Sequence, residues 1–210
     1  MKKVLVVAPH PDDETLGCGG TLLKHKNSGD KIFWMIVTNI QSENGWSEEE
    51  VQKRQKEINQ VSAMYGFEKI FKLDFPTTML DTIPYSDLIT KISAVIQEIK
   101  PSIVYIPNHS DVHTDHQVTF KATISCCKSF RAPFIRKMLM YECLSETEFA
   151  PALRENVFIP NVFIDISEYL NRKLEIMKIY DSEVMDPPFP RSMETVISLA
   201  KYRGSRIGEE

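Results

Sequence analysis

Val4-Leu5-Val6-Val7-Ala8-Pro9-His10-Pro11-Asp12-Asp13-Glu14 opens the chain with a hydrophobic run that ends on one imidazole and three carboxylates. The run is rich in valine and too short for a helix. It predicts a buried strand over about residues 3–8. The charged residues behind it must then occupy a turn at the strand's carboxyl end. Either they are simply solvated there, or something positive sits among them. A signal peptide or membrane span would stay apolar for longer before meeting charge. The chain is therefore expected to be cytoplasmic, with no membrane anchor.

Working outward, the same alternation repeats. A helix is expected over about 14–27, stopping near Gly29, and a strand over 31–38. The continuously apolar Ile32-Phe33-Trp34-Met35-Ile36-Val37 suits a sheet covered on both faces. Ser47 reads as the cap of a helix entered through Glu48-Glu49-Glu50 and running to Tyr65, before Gly66. A strand over 68–73, a loop over 74–84, a helix over 85–98 and a strand over 102–106 follow. A second charged turn at 107–114 leads into a helix to about Cys127. Later strands are expected at 137–141 and 162–166, with helices at 168–180, capped by Ser167, and 192–202. Strands alternating with helices at these spacings imply one α/β domain over 1–210 with a mostly parallel sheet. In such sheets, sites lie outside the carboxyl ends of the strands. Both charged turns lie at such ends, so they are expected to meet.

Bulk properties narrow the chemistry. The net charge is −4, and no basic tract is present, which argues against nucleic acid as a partner. Cys18, Cys126, Cys127 and Cys143 match neither a two-plus-two metal pattern nor a simple disulfide framework, so reduced thiols are expected. Phe130, Phe134 and Phe149 fit an apolar surface, with a homo-oligomer as the consequence, as well as they fit a core.

Three of the five histidines fall in the second turn, Pro107-Asn108-His109-Ser110-Asp111-Val112-His113-Thr114-Asp115-His116. His10 is in the first turn, and His25 reads as a surface residue of the first helix. Imidazole and carboxylate are ligands for zinc and related divalent ions. One turn can deliver His10 and a carboxylate, and the other a further ligand, leaving room for water. The surplus acids and histidines can then handle protons, which favours catalysis over a closed structural site. Solvated loops are the plain alternative, and Asp13 or Asp115 could be helix caps only. The glycines of Leu16-Gly17-Cys18-Gly19-Gly20 fit neither a dinucleotide nor a phosphate loop. They are read as allowing close packing, with Cys18 a buried filler. No nucleophile elbow surrounds Ser110.

Pro9-His10-Pro11-Asp12-Asp13-Glu14 and His113-Thr114-Asp115-His116 closely resemble the paired signatures of the PIG-L/LmbE-like family of zinc-dependent N-deacetylases, written A/P-H-P-D-D-E and H-x-D-H. Arg54-Gln55-Lys56-Glu57 resembles the family's R-x-x-E, and residues 162–173 its late D-I-S segment and lysine-bearing helix. The resemblance implies a Rossmann-like three-layer fold. It implies that His10, Asp13 and His116 hold zinc, or another divalent metal such as ferrous iron. Asp12 would be the general base, and His113 would stabilise the oxyanion or protonate the amine. Asp115 would orient His113, and Arg54 would contact substrate. The substrate implied is a small N-acetylglucosamine conjugate, for example a glucosaminyl-malate thiol precursor, with acetate as one product. A metal phosphoesterase and a non-catalytic metal-containing sugar-binding protein are the alternatives. The chain departs from the family pattern at Tyr180 and Glu183, where a histidine and a glutamine are common. It also ends where family members often continue. His109 and Asp111 read equally as supports behind the site or as surface residues.

Overall fold

Val4, Val6 and Ala8 of the first strand turn to one side of the sheet, and Leu5 and Val7 turn to the other. That alternation organises the whole molecule. The computed structural model describes residues 1–209. The strands are β1 (Lys3–Ala8), β2 (Lys31–Asn39), β3 (Lys69–Pro76), β4 (Ile103–Pro107) and β5 (Lys137–Tyr141). They form one sheet in the order β3-β2-β1-β4-β5. Every pairing is parallel.

The helices are α1 (Asp13–Asn27), α2 (Glu48–Tyr65), α3 (Tyr85–Ile99), α4 (Thr114–Cys126), α5 (Leu170–Met177) and α6 (Met193–Gly204). On the Val4 face, the core gathers Leu22 of α1, Val61 of α2, Ile176 of α5 and Val196 of α6. On the Leu5 face, it gathers Leu88 and Ile92 of α3 with Ala122 of α4. This is the expected α/β three-layer domain with a parallel central sheet. A strand buried on both faces must be apolar at every position, which explains the unbroken runs in β1 and β2.

Local sequence sets the ends of the elements. Ser47 and Glu50 form a reciprocal capping box at the start of α2, and Gly66 ends that helix in the left-handed region at φ 67°. In α1, a Cβ on Gly17 would lie 2.1 Å from the Tyr141 ring, and one on Gly20 would lie 2.6 Å from Ile166. The glycines therefore admit β5 and a later segment against the helix, as their reading for close packing required. The helix is kinked at Cys18, which is buried.

Some expectations need correction. β3 runs on to Pro76, because its pairing with β2 resumes after a register irregularity between Ile36 and Thr38. Residues 162–166 form no strand. They are held by side chains, with Ile166 against Gly20 and the Asp165 carbonyl accepting from Lys24 Nζ at 2.7 Å. Ser167 does not cap the next helix. It donates from backbone and side chain to Asp165, and α5 begins at Leu170. His25 is half-buried and bonded to Asp30 and the Tyr105 hydroxyl. Phe130 and Phe149 are exposed, whereas Phe134 packs against the core. No helix among the described residues is long and apolar enough to cross a membrane.

Candidate active site

β1 lies between β2 and β4, so the chain reverses its direction of winding between these two neighbours. Crossovers leave in opposite directions there, and a crevice opens at the carboxyl ends. Both charged turns empty into it. The ring centroids of His10 and His113 are 4.6 Å apart, and those of His10 and His116 are 5.3 Å apart. The cleft has a volume of about 210 Å³, and its lining includes His10, Asp12, Trp46, Arg54, His113 and Arg191. The candidates from the two turns and from α2 thus share one site. His109 does not join it; it is exposed with its ring against Phe120.

His10, Asp13 and His116 converge. Asp13 Oδ2 lies 3.4 Å from His10 Nδ1 and 3.3 Å from His116 Nε2. One donor atom from each of the three lies within 4.8 Å of the others. His116 Nε2 is buried and has no hydrogen-bond partner among the described residues. The remaining ring nitrogens are already engaged. His10 Nε2 lies 3.0 Å from Asp115 Oδ2, and His116 Nδ1 lies 2.9 Å from Asp111 Oδ2. A histidine that ligates metal usually has its other nitrogen tied to a carboxylate in this way. Two imidazoles, one of them with an unpartnered buried nitrogen, and one carboxylate are a donor set that fits a divalent ion. Asp111 belongs to the site, and its Oδ1 accepts from Thr147 Oγ1 at 2.7 Å.

The field at this point is strongly negative. Burial alone would keep His116 neutral. Asp13 and Asp111 outweigh it and lift the imidazole to about 10. Burial likewise opposes charge on His10, yet Asp115 and Asp13 raise it to about 9. A place that draws protons so firmly onto two imidazoles is one where a bound cation would be favoured.

Asp12 adopts φ 134°, a conformation rare for a residue with a side chain. Glu14 holds the strained turn from within. It is buried and accepts from the Asp12 backbone N–H at 3.0 Å, the Thr15 hydroxyl at 2.6 Å and the Tyr180 hydroxyl at 3.1 Å. Asp12 Oδ2 meets Arg191 Nη1 at 2.9 Å. Burial and the neighbouring Asp13 charge raise Asp12 to about 7, against the pull of Arg191 and Arg54.

His113 is the N-cap of α4, and its Nδ1 accepts from the Asp115 backbone N–H at 3.0 Å. The cap is therefore the histidine and not Asp115. Asp115 positions His113 through its main chain. Its carboxylate bonds instead to His10 and to the backbone N–H groups of Thr78 and Leu80. With Nδ1 accepting, the hydrogen of a neutral His113 must sit on Nε2. Burial and the nearby His10 lower its pKa to about 4.

Arg54 reaches the cleft from α2, with Nη1 on the Pro11 carbonyl at 3.1 Å. Arg191 was not anticipated from the sequence. It stands alone in a proline-rich stretch before α6, with no spacing to mark it. The contribution of Glu183, which joins Arg54 to Arg191, could be suspected only from its departure from the family pattern.

Residues 5–127 match the model of the GlcNAc-PI de-N-acetylase family, PIG-L. The chain is similar to the diacetylchitobiose deacetylase of Thermococcus kodakarensis, with 27% identity covering 99% of this chain and 80% of the relative. It is also similar to a probable N-acetyl-alpha-D-glucosaminyl L-malate deacetylase of Bacillus cereus, with 28% identity covering 87% of this chain and 84% of the relative. Among solved structures, a conserved protein from Thermus thermophilus superposes with a TM-score of 0.79 at 25% identity, covering 100% of this chain and 91% of the other.

Proposed function

The chain belongs to the PIG-L family of de-N-acetylases, and on that footing we propose that it hydrolyses the N-acetyl amide of a small N-acetylglucosamine-containing molecule, releasing acetate and a free amine. The observation that carries this reading is the unpartnered Nε2 of buried His116, converging with His10 and Asp13 beside the carboxylate of Asp12.

His10, Asp13 and His116 would hold a divalent ion, zinc or ferrous iron. Such an ion would polarise the amide carbonyl and make a water acidic enough to attack at neutral pH. The protein's own groups do the rest. Asp12 takes the proton of the attacking water. Its neighbours hold the carboxylate in the cleft, and the strained backbone fixes its direction. As the carbonyl carbon becomes tetrahedral, charge builds on its oxygen. His113 Nε2–H is the donor suited to that charge, because the Asp115 N–H fixes the tautomer. Collapse breaks the carbon–nitrogen bond, and the proton held by Asp12 goes to the leaving amine. Arg54 contacts the substrate beyond the amide.

Two triads could ligate an ion: His10, Asp13 and His116, and His10, His113 and Asp115. They share His10 and no carboxylate. That supports one ion over a two-metal phosphoesterase, which would use bridging carboxylates.

The test is acetate and free-amine release by metal-loaded protein from a panel of N-acetylglucosamine conjugates, with Asp12→Asn in parallel. Release that disappears in the variant while metal stays bound supports the reading. Release that survives in Asp12→Asn removes Asp12 as the base.

A further inference from the structure

A cleft that receives an anion should hold a cation with spare hydrogen-bonding capacity. The cleft has two guanidinium groups, and a single carboxylate already occupies both. Glu183 bridges them, with Oε1 2.5 Å from Arg54 Nη2 and Oε2 2.9 Å from Arg191 Nη1. The other nitrogens lie against further acceptors of the protein itself. Arg54 Nη1 donates to the Pro11 carbonyl, and its Nε lies 3.3 Å from Glu57. Arg191 Nε donates to Ser145 Oγ at 2.7 Å, its Nη1 is shared with Asp12, and its Nη2 lies 3.6 Å from Glu146.

Charge agrees with hydrogen bonding. Two arginines face four carboxylates: Asp12, Glu57, Glu146 and Glu183. Burial would push Glu183 towards neutrality, but Arg54 and Arg191 hold it below the usual carboxylate range. An incoming carboxylate or phosphate would have to displace Glu183 from both guanidiniums and then sit beside acids left unpaired, which is strongly unfavourable in a half-buried cleft. A hydroxyl meets no such barrier, since it can donate to a carboxylate that still has a free lone pair.

The cleft lining also includes an aromatic ring. Trp46 lines the cleft and is 39% exposed. An indole face presents a large, rigid area to the C–H face of a sugar ring.

Resting on the deacetylase reading, we propose that Glu183 is a specificity-determining residue, and that the group joined to the reacting amino sugar is an uncharged sugar ring or polyol rather than an anion. Glu183 neutralises the arginines that would otherwise select a negative partner.

The experiment compares two ligands with metal-loaded protein, N-acetylglucosaminyl-glucose and N-acetylglucosaminyl-glucuronic acid of the same linkage, which differ only in the hydroxymethyl group or carboxylate on the second ring. Binding is measured by calorimetry and turnover by acetate release. The neutral compound is expected to be preferred by about 10-fold or more, the worth of one charge-assisted hydrogen bond. Glu183→Gln should shift the preference towards the anion by a similar factor. Equal or tighter binding of the anion by the unaltered protein overturns the proposal, as does a preference that Glu183→Gln leaves unmoved. Preferred binding of the neutral compound with no acetate from either sinks the deacetylase reading and keeps the charge selectivity. Acetate released mainly from the anion does the reverse. Neither binding nor release from either compound overturns both.

Discussion

His116 Nδ1 lies 2.9 Å from Asp111 Oδ2, and this bond decides which ring nitrogen is turned towards Asp13. Asp111 is wholly buried and is not among the residues that line the cleft. Asp111→Asn should therefore weaken metal binding by about 10- to 100-fold, the usual effect of removing a carboxylate behind a ligating histidine. Competition with a chromophoric chelator measures this directly. Unchanged affinity would mean that His116 needs no such support or is no ligand.

Asp12→Asn keeps the size and the neighbours of the side chain but removes its basicity. Turnover should fall by about 10²- to 10⁴-fold, the range for loss of a general base. Metal content, measured on the same sample, should not change. A loss of metal in step with activity would instead make Asp12 a ligand.

Gly17→Ala tests the seam between α1 and β5. The new Cβ would lie 2.1 Å from Tyr141 Cδ2, and that ring is tethered by its hydroxyl to the Val7 carbonyl at 2.9 Å. Neither side yields easily, so urea unfolding should show a loss of about 1–3 kcal/mol, typical of overpacking. Wild-type stability in the variant would show that the helix can lift off the sheet freely.

Asp30 gives a pH dependence with a definite sign. Burial would raise its pKa, but the Lys2 backbone N–H at 2.6 Å and the His25 ring at 2.9 Å hold it below the usual carboxylate range. His25 is itself anchored to the Tyr105 hydroxyl. A depressed folded-state pKa contributes stability that is fully present above the unfolded value, about 4, and is lost as pH falls through the folded one. The stability gap between wild type and Asp30→Asn should thus be constant above about pH 5, begin to narrow near about pH 4 and close once pH falls below the folded value. A gap that does not narrow at all between about pH 5 and about pH 2 would assign the contribution to packing.

The fold was legible because parallel strands buried on both faces leave unbroken apolar runs, and β1 and β2 have them. The meeting of the two turns was legible because the strand order in such sheets leaves one crevice. Residues 162–166 misled because an apolar run predicts burial, not a ladder, and Ile166 is anchored through its side chain to the space above Gly20. His25 misled because its lysine neighbours in sequence say nothing of Tyr105, 80 residues away. The partner of His10 was invisible for a related reason. Asp115 looked like the companion of His113, two residues earlier, but its carboxylate bonds across the crevice to His10. Arg191 lies 179 residues from the Asp12 it touches, and no local pattern encodes such a meeting.

Every residue of the proposed metal-ligating triad lies within the first 116 positions, whereas Glu183 and Arg191 arrive from the segment after α5. On the proposed reading, bond cleavage rests on the early stretch alone, whereas choice of partner adds the late segment to Trp46 and Arg54. Exchange of residues 182–190 between relatives, which keeps Tyr180 on Glu14 and Arg191 on Asp12, would retarget the proposed enzyme while sparing its reaction centre. Under that proposal the late segment would act as an interchangeable adaptor on a fixed hydrolytic centre.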